Sequence, residues 1–250
     1  MPLDHRERRA ATPPLCWLHG FTQTGASAHQ FRAILTATRE VLTPDLARHG
    51  ARGQVGGSLD DVADAVVREL PHDPVDLGGY SFGARVALHV AIRHPERVRR
   101  LVLLGATRGI ADDSARAARR ERDEALAAKI EQIGTEAFLD QWMSQPMFAD
   151  LPFDPRERAS REGQSPSNLA ASLREAGTGT QRWLNDEIGE LPMVILTLAG
   201  ASDERFSREA RAIAQRARRA SFQLVPGAAH AAHLHQPTWS AALVATFLDD

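Results

Sequence analysis

One stretch decides the fold, and it reads Val75-Asp76-Leu77-Gly78-Gly79-Tyr80-Ser81-Phe82-Gly83-Ala84-Arg85-Val86-Ala87-Leu88. An apolar run ends in a G-x-S-x-G motif, and an Ala/Val/Leu-rich helical pattern follows at once. This order of strand, sharp turn and helix is the context that a nucleophile elbow requires. The two flanking glycines leave room where the backbone doubles back, because a Cβ there would meet the neighbouring strand or helix. We therefore predict that Ser81 is catalytic, with its Oγ exposed at the edge of a sheet; a purely structural tight turn is the alternative.

Strands and helices alternate along most of the chain. Besides the strand that ends at Tyr80, apolar runs predict strands at 15–18, 41–45, 101–105, 193–198 and 221–225. Helical patterns follow an N-cap at Ser58 and occupy 82–93, about 207–219 and a last helix that starts at Pro237, with Trp239, Leu243 and Phe247 facing inward. Such alternation through short loops implies parallel pairing and right-handed crossovers. The predicted fold class is α/β, with a mostly parallel central sheet flanked by helices.

The alternation stops between residues 108 and 191. Charge-rich helical patterns at about 115–133 and 138–143 replace it, and Pro146, Pro152, Pro155 and Pro166 interrupt them. We interpret residues 108–191 as a helical cap inserted into a core formed by residues 1–107 and 192–250.

Composition excludes several classes of protein. The chain has 250 residues and a formal net charge of −2, so binding to nucleic acid or to anionic membranes is not expected. The single cysteine, Cys16, excludes a disulfide framework and a zinc-binding set of cysteines. The N-terminal run 4–9 has no apolar core of signal-peptide length, and no later segment predicts membrane insertion. We expect a cytoplasmic monomer.

The partners that a catalytic serine needs follow other predicted strands. Serine is a weak nucleophile or base at neutral pH, so a histidine must take its proton and a carboxylate must orient that histidine. The chain supplies Ser81, Asp203 and His230 in the order that this type of elbow uses. Glu204 is the alternative to Asp203, and a helix cap is the structural interpretation of that aspartate. His233 and His235 are the alternatives to His230, which directly follows a strand and its Pro-Gly turn.

A second turn lies upstream. The strand 15–18 runs into His19-Gly20-Phe21, where glycine lets the chain turn beneath the predicted site. The backbone N–H of Phe21 is then placed to face a developing oxyanion, and a structural turn is the alternative.

With these residues in view, the chain resembles the α/β-hydrolase superfamily over its whole length. Within it, the chain looks most like the 2-succinyl-6-hydroxy-2,4-cyclohexadiene-1-carboxylate synthases of menaquinone biosynthesis. The resemblance is carried by the elbow with its arginine, by Arg116-Ala117-Ala118-Arg119-Arg120, by Trp142-Met143-Ser144-Gln145-Pro146-Met147-Phe148, by Arg161 ahead of Asn168, and by Gly227-Ala228-Ala229-His230-Ala231-Ala232-His233. The chain departs from that pattern at Ala84, where glycine is usual, and at Phe82, where leucine is common.

The resemblance implies a lyase that eliminates pyruvate from a substrate with several carboxylates, with Ser81 as a base. It implies an oxyanion hole from the N–H groups of Phe21 and Phe82, and neither a metal nor an organic cofactor. It also implies substrate binding by Arg85, Arg119, Arg161, Tyr80 and Trp142. Arg116 and Arg120 remain alternatives to Arg119. A place on a solvated helix face is the structural interpretation of the cap arginines, and packing in the interior is that of Tyr80 and Trp142. A carboxylesterase or C–C bond hydrolase is the second candidate function, and a non-catalytic binding protein is the third.

Overall fold

A six-stranded sheet forms the centre of the described structure. The structure is a computed structural model that describes residues 12–250, so the N-terminal run 4–9 lies outside the described residues. The strands are β1 (Leu15–Leu18), β2 (Val41–Leu42), β3 (Val75–Tyr80), β4 (Val98–Leu104), β5 (Val194–Gly200) and β6 (Ala220–Val225). Their order in the sheet is β2-β1-β3-β4-β5-β6, and each neighbouring pair is parallel. The predicted α/β class is confirmed.

Helices cover both faces of this sheet. They are α1 (His29–Thr36), α2 (Leu59–Val67), α3 (Phe82–Arg93), α4 (Asp113–Met143), α5 (Pro155–Glu162), α6 (Pro166–Ala176), α7 (Asn185–Glu190), α8 (Glu204–Arg216), α9 (Ala232–His235) and α10 (Pro237–Asp249). Successive strand residues point to opposite faces. Leu103 therefore joins the cluster that contains α2, α3 and α8 residues, and Leu104 joins the one that contains α1 and α10 residues. Two hydrophobic layers thus fix the strand ends, where the site lies.

Local sequence explains where the core helices begin. Ser58 caps α2, because its Oγ accepts a hydrogen bond from the Asp61 N–H at 3.3 Å and the Asp61 carboxylate accepts one from the Ser58 N–H at 2.8 Å. Helix α3 is buried almost all round, as its apolar sequence predicts.

The last helix differs from the prediction at one residue. Trp239 was predicted to face inward, but 54% of its surface is exposed, whereas Val244 and Phe247 are buried. At about 100° per residue, Trp239 lies roughly 140° around the helix from Val244. An aromatic side chain near the start of an apolar helix therefore need not belong to its buried stripe.

Helices α4 to α7 form the segment between β4 and β5. The long α4 is broken at Gly134, whose φ of 78° ends one helix and starts the next, close to the break that the sequence predicts. Side chains of α4 and α6, among them Ile130, Phe138 and Leu169, form a hydrophobic cluster of their own. Leu184 and Ile188, in contrast, pack into the core cluster. We retain 108–191 as the proposed limits of the cap.

Within residues 12–250, none of the helices combines the length and the apolar character needed to cross a membrane.

Candidate active site

The elbow places Ser81 at a strained turn between β3 and α3. Ser81 has φ 52° and ψ −106°, a left-handed conformation that is uncommon outside glycine, and its N–H donates to the Leu104 carbonyl at 2.8 Å. A Cβ on Gly79 would lie 2.5 Å from the backbone carbon of Gly83, and a Cβ on Gly83 would lie 2.2 Å from the Leu18 carbonyl oxygen. Both glycines of the motif are therefore required by close backbone approach.

Ser81, His230 and Asp203 form one hydrogen-bonded chain. His230 Nε2 lies 3.0 Å from Ser81 Oγ, and His230 Nδ1 lies 2.8 Å from Asp203 Oδ2. Asp203 follows β5, and His230 is in the loop after β6, so neighbouring parallel strands deliver both to the same edge of the sheet. The other oxygen of Asp203, Oδ1, accepts from the Phe206 N–H at 3.1 Å. Asp203 therefore caps α8 through Oδ1 and also pairs with His230 through Oδ2.

The charge on Asp203 fixes the tautomer of the histidine. Burial alone would raise the pKa of Asp203, but the hydrogen bond from His230 and the attraction of its ring lower that pKa below the ordinary value. An ionised carboxylate accepts only, so Nδ1 carries the proton and Nε2 is left to accept from the Ser81 hydroxyl. The His230 ring is held between Phe206 and Tyr80, whose centroids are 4.2 and 5.2 Å away.

The two alternative histidines do not reach the serine. His233 is buried, the centroid of its ring lies 4.4 Å from that of Tyr80, and it makes no hydrogen bond to Ser81. His235 Nε2 lies 2.9 Å from the Ala149 carbonyl oxygen. Glu204, the alternative carboxylate, is exposed at the start of α8. Of the candidate residues, His230 and Asp203 are therefore the two that the structure brings into line with Ser81.

Gly105 is a site residue that sequence reasoning missed. It has φ +65°, and a Cβ there would lie 2.9 Å from His230 Cε1. It follows the strand next to the elbow strand, so a glycine at that strand end was the available signal. We conclude that Gly105 leaves the space in which the His230 ring sits.

A cavity of about 690 Å³ opens above the serine, between the sheet edge and the cap. Every predicted site residue except Asp203 lines it, namely Phe21, Tyr80, Ser81, Phe82, Arg85, Arg119, Trp142, Arg161 and His230. Asp203 lies behind His230, as an orienting group should. Volumes of this size are typical of sites for small organic molecules.

The two residues predicted to supply oxyanion donors, Phe21 and Phe82, both line this cavity. Phe82 is the first residue of α3, so its N–H has no acceptor inside the helix. The N–H of Phe21 makes no hydrogen bond within residues 12–250. Two such amides, in residues that line the cavity together with Ser81, suit a developing negative charge.

Arg85 is a buried cation one turn after the serine. Its backbone N–H donates to the Ser81 carbonyl at 3.1 Å, and its side-chain Nη1 donates to the Ala176 carbonyl at 3.0 Å. Only 8% of its surface is exposed. Burial, and then the nearby charge of Arg119, lower the pKa of Arg85 to about 9, so it remains charged at neutral pH. A buried cation that meets a carbonyl instead of a carboxylate favours an incoming anion.

The cap arginines differ in environment. Arg161 is buried, donates from Nη1 to Thr22 Oγ1 at 2.6 Å, and has the Glu157 carboxylate 3.6 Å from Nη2. Burial lowers its pKa, and Glu157 partly opposes that effect. Arg119 is partly exposed and its Nε donates to Asp123 at 2.8 Å.

Of the three candidate arginines on α4, only Arg119 lines the cavity. Arg116 pairs with Asp113, and Arg120 donates to the Gly179 carbonyl at 3.3 Å.

The cavity holds more positive charge than the sequence suggests. Arg122, Lys129 and Arg205 also line it, and Asp123 is the sole Asp or Glu among its lining residues. Each of these three side chains is exposed, so they lie at the entrance of the cavity and not at its base. Arginine is so common in this chain that no local signal distinguishes Arg122 and Arg205.

Tyr80 and Trp142 line the cavity and are also packed. Burial raises the pKa of the Tyr80 hydroxyl, so it stays protonated. The indole Nε1 of Trp142 is buried and has no hydrogen-bond partner within residues 12–250. In the same part of the chain no cluster of three His, Cys, Asp or Glu side chains is arranged to hold a metal ion.

Comparison with known proteins agrees with this geometry. The model of the alpha/beta hydrolase family matches residues 15–243. A Bacillus subtilis (strain 168) protein named putative 2-succinyl-6-hydroxy-2,4-cyclohexadiene-1-carboxylate synthase is 32% identical, over 95% of this chain and 91% of its own. A Serratia proteamaculans (strain 568) synthase of that name is 29% identical, over 97% and 96%.

Solved structures agree as well. The structure of MenH from S. aureus superposes with a TM-score of 0.90 and 28% identity, over 96% of this chain and 94% of that one. A Thermogutta terrifontis esterase, at a TM-score of 0.79 and 21% identity over 96% and 90%, shares the fold. This chain therefore belongs to the alpha/beta hydrolase family, and the relatives that it resembles along its full length include proteins named as synthases rather than hydrolases.

Proposed function

We propose that this chain is a lyase of menaquinone biosynthesis. It eliminates pyruvate from 2-succinyl-5-enolpyruvyl-6-hydroxy-3-cyclohexene-1-carboxylate and yields 2-succinyl-6-hydroxy-2,4-cyclohexadiene-1-carboxylate. The names of its relatives over almost the whole chain support this choice. We take the enzyme to be a cytoplasmic monomer that acts on a small substrate with several carboxylates.

The charge of the cavity is the observation that carries the proposal. Six lysine or arginine side chains line it against one carboxylate, in a chain whose net charge is −2. The six are Arg85, Arg119, Arg122, Lys129, Arg161 and Arg205. A cavity for neutral acyl esters gains nothing from buried guanidinium groups, whereas their planar donor forks match carboxylates. The substrate class that fits is therefore a compact polycarboxylate.

In the proposed reaction Ser81 acts as a base. Its hydroxyl proton passes to His230 Nε2 across the 3.0 Å hydrogen bond, and the resulting alkoxide removes a proton from the substrate ring. Asp203 stabilises the imidazolium that forms. The electron pair of the broken C–H bond spreads toward the succinyl carbonyl, where the N–H groups of Phe21 and Phe82 stabilise it.

The ring bond to the enolpyruvyl oxygen then breaks. The diene forms, and the proton held by His230 goes to the departing pyruvate enolate. Every atom and electron of the step is supplied by the substrate and by the side chains of Ser81 and His230.

The same hydrogen-bonded chain would also activate Ser81 as a nucleophile, so ester or C–C bond hydrolysis is the second candidate. Pyruvate release from the pathway intermediate, generated in situ by the preceding enzyme, should greatly exceed hydrolysis of a short nitrophenyl ester. The reverse ranking would favour the hydrolase.

The fate of Ser81 provides an independent test. A base only shuttles a proton, so mass spectrometry of enzyme quenched during turnover should find Ser81 unmodified. A substrate-derived adduct on Ser81 would contradict the lyase mechanism.

A further inference from the structure

The turn that carries Phe21 is strained. The Gln23 N–H donates to the Gly20 carbonyl at 3.1 Å and closes a four-residue turn with Phe21 and Thr22 at its centre. Thr22 has φ 67° at the third position, where a positive φ favours glycine or asparagine. For a β-branched residue this conformation is a true outlier that destabilises the fold unless its surroundings impose it. Thr22 is fully buried, so neighbouring groups must hold it in place.

Two cap side chains hold this turn. Gln164, which follows α5 and is buried, donates from Nε2 to the Thr22 carbonyl and, at 3.1 Å, to the Gln23 carbonyl. Its Oε1 accepts from the Gly50 N–H at 3.2 Å, so the amide plane is fixed from both ends. Arg161 donates from Nη1 to Thr22 Oγ1 at 2.6 Å. The cap thereby grips both the backbone and the hydroxyl of the strained residue.

We propose that Gln164 is a positioning residue for the oxyanion hole. By fixing the Thr22 carbonyl it keeps the turn in its strained form, in which the Phe21 N–H has no partner within residues 12–250 and Phe21 lines the cavity. If Thr22 relaxed to an ordinary φ, the peptide units of the turn would rotate and the Phe21 amide would move with them. The proposal rests on the oxyanion role of Phe21, and it makes the cap part of the apparatus that stabilises negative charge.

A second cap contact supplies a matched control. Glu175 of α6 accepts from Arg48 Nε at 3.0 Å and from the Gly57 N–H at 2.8 Å, so it also ties the cap to a core loop. It touches no residue of the Gly20–Gln23 turn. Glu175→Gln therefore weakens cap attachment without releasing Thr22.

The test measures how fast a fluorophosphonate labels Ser81. This reaction needs an activated serine and a stabilised oxyanion but not the pathway substrate, so it remains valid if the proposed lyase function fails. Gln164→Ala should label about 10- to 100-fold more slowly than wild type, less than the 10²–10³ typical of losing a whole oxyanion donor. Glu175→Gln should label at the wild-type rate. In the lyase assay Gln164→Ala should lower kcat with KM little changed.

Gln164→Glu adds a readout that a merely structural role would not change. A neutral carboxyl has one O–H donor for the Thr22 carbonyl, and an ionised carboxylate has none. The labelling rate of this variant relative to wild type should therefore fall as the pH rises through the pKa of the introduced carboxyl, which burial raises. A pH-independent ratio, wild-type labelling in Gln164→Ala, or an equal loss in Glu175→Gln would overturn the proposal.

Discussion

Replacement of Arg85 separates recognition of charge from support of the cavity. The guanidinium is buried beside Ser81, and its hydrogen bond goes to the Ala176 carbonyl instead of a carboxylate. In Arg85→Met a substrate carboxylate would be desolvated without its partner, which typically costs about 2–5 kcal/mol. At about 1.4 kcal/mol per factor of ten, kcat/KM for pyruvate elimination should fall by about 30- to 4,000-fold. Arg85→Lys should recover only part of this loss, because an ammonium cannot form the bidentate fork.

The assay compares pyruvate release with hydrolysis of a neutral nitrophenyl ester. The ester has no carboxylate, so Arg85→Met should retain whatever esterase activity the wild type has. Arg116→Ala is the matched control, because Arg116 lies on the cap, pairs with Asp113 and does not line the cavity. Its pyruvate elimination should be unchanged.

Thermal unfolding completes this test. A buried cation without a counter-ion destabilises the fold, so Arg85→Met should unfold at the wild-type temperature or above it. If both activities and the thermal midpoint fell together, Arg85 would be holding up the cavity, and the charge argument for a lyase would be refuted.

The remaining predictions concern the Ser81–His230 pair and the buried histidines. Ser81→Ala and His230→Ala should each lower kcat by about 10²- to 10⁴-fold. The double variant should be hardly slower than either single variant, because members of one proton relay act as a unit. Additive losses in steady-state kinetics would contradict the relay. His233→Ala should lower the thermal midpoint much more than kcat. A loss of kcat equal to that of His230→Ala would mean that His230 had been wrongly chosen as the histidine that accepts the Ser81 proton. Burial lowers the pKa of His19 and His233 to about 3 and that of His49 to about 4. These pKa values lie below the unfolded value near 6.5, so between the two values the unfolded state binds more protons than the folded state. In that pH window the free energy of unfolding should fall with decreasing pH by about 1.4 kcal/mol per pH unit for each ring. Urea unfolding across that window measures the slope, which should be shallower in His233→Ala; a flat profile would mean that the rings are not buried in neutral form.

The triad could be predicted from sequence because its geometry follows from topology. In a parallel sheet the carboxyl ends of the strands meet at one edge, so Ser81, Asp203 and His230 had to converge once their strands were recognised. The elbow glycines were predictable for the same reason, since their close contacts are local. The prediction that Trp239 faces inward is wrong because the direction of this side chain depends on where α10 meets the sheet.

Other parts of the site depend on contacts between distant segments. Gly105 matters only because a ring 125 positions later packs against it, as the contact with His230 shows. Gln164 gave no signal, since a single glutamine in a polar stretch looks like any solvated residue. Arg205 was hidden among 30 lysine and arginine residues, and only the shape of the cavity distinguishes it.

Three unfavourable features converge on this one site. Ser81 and Thr22 have strained positive φ values, and the buried Arg85 forms no ion pair with a carboxylate of the described part of the chain. Each alone lowers the stability of the fold, and each persists because surrounding contacts over-determine it. Their common location indicates that the free energy is held for binding and proton transfer, since a bound polycarboxylate would supply the counter-charge that Arg85 lacks. A variant that relieves one of them should therefore be more stable and less active, whereas a variant that damages ordinary packing should lose both properties.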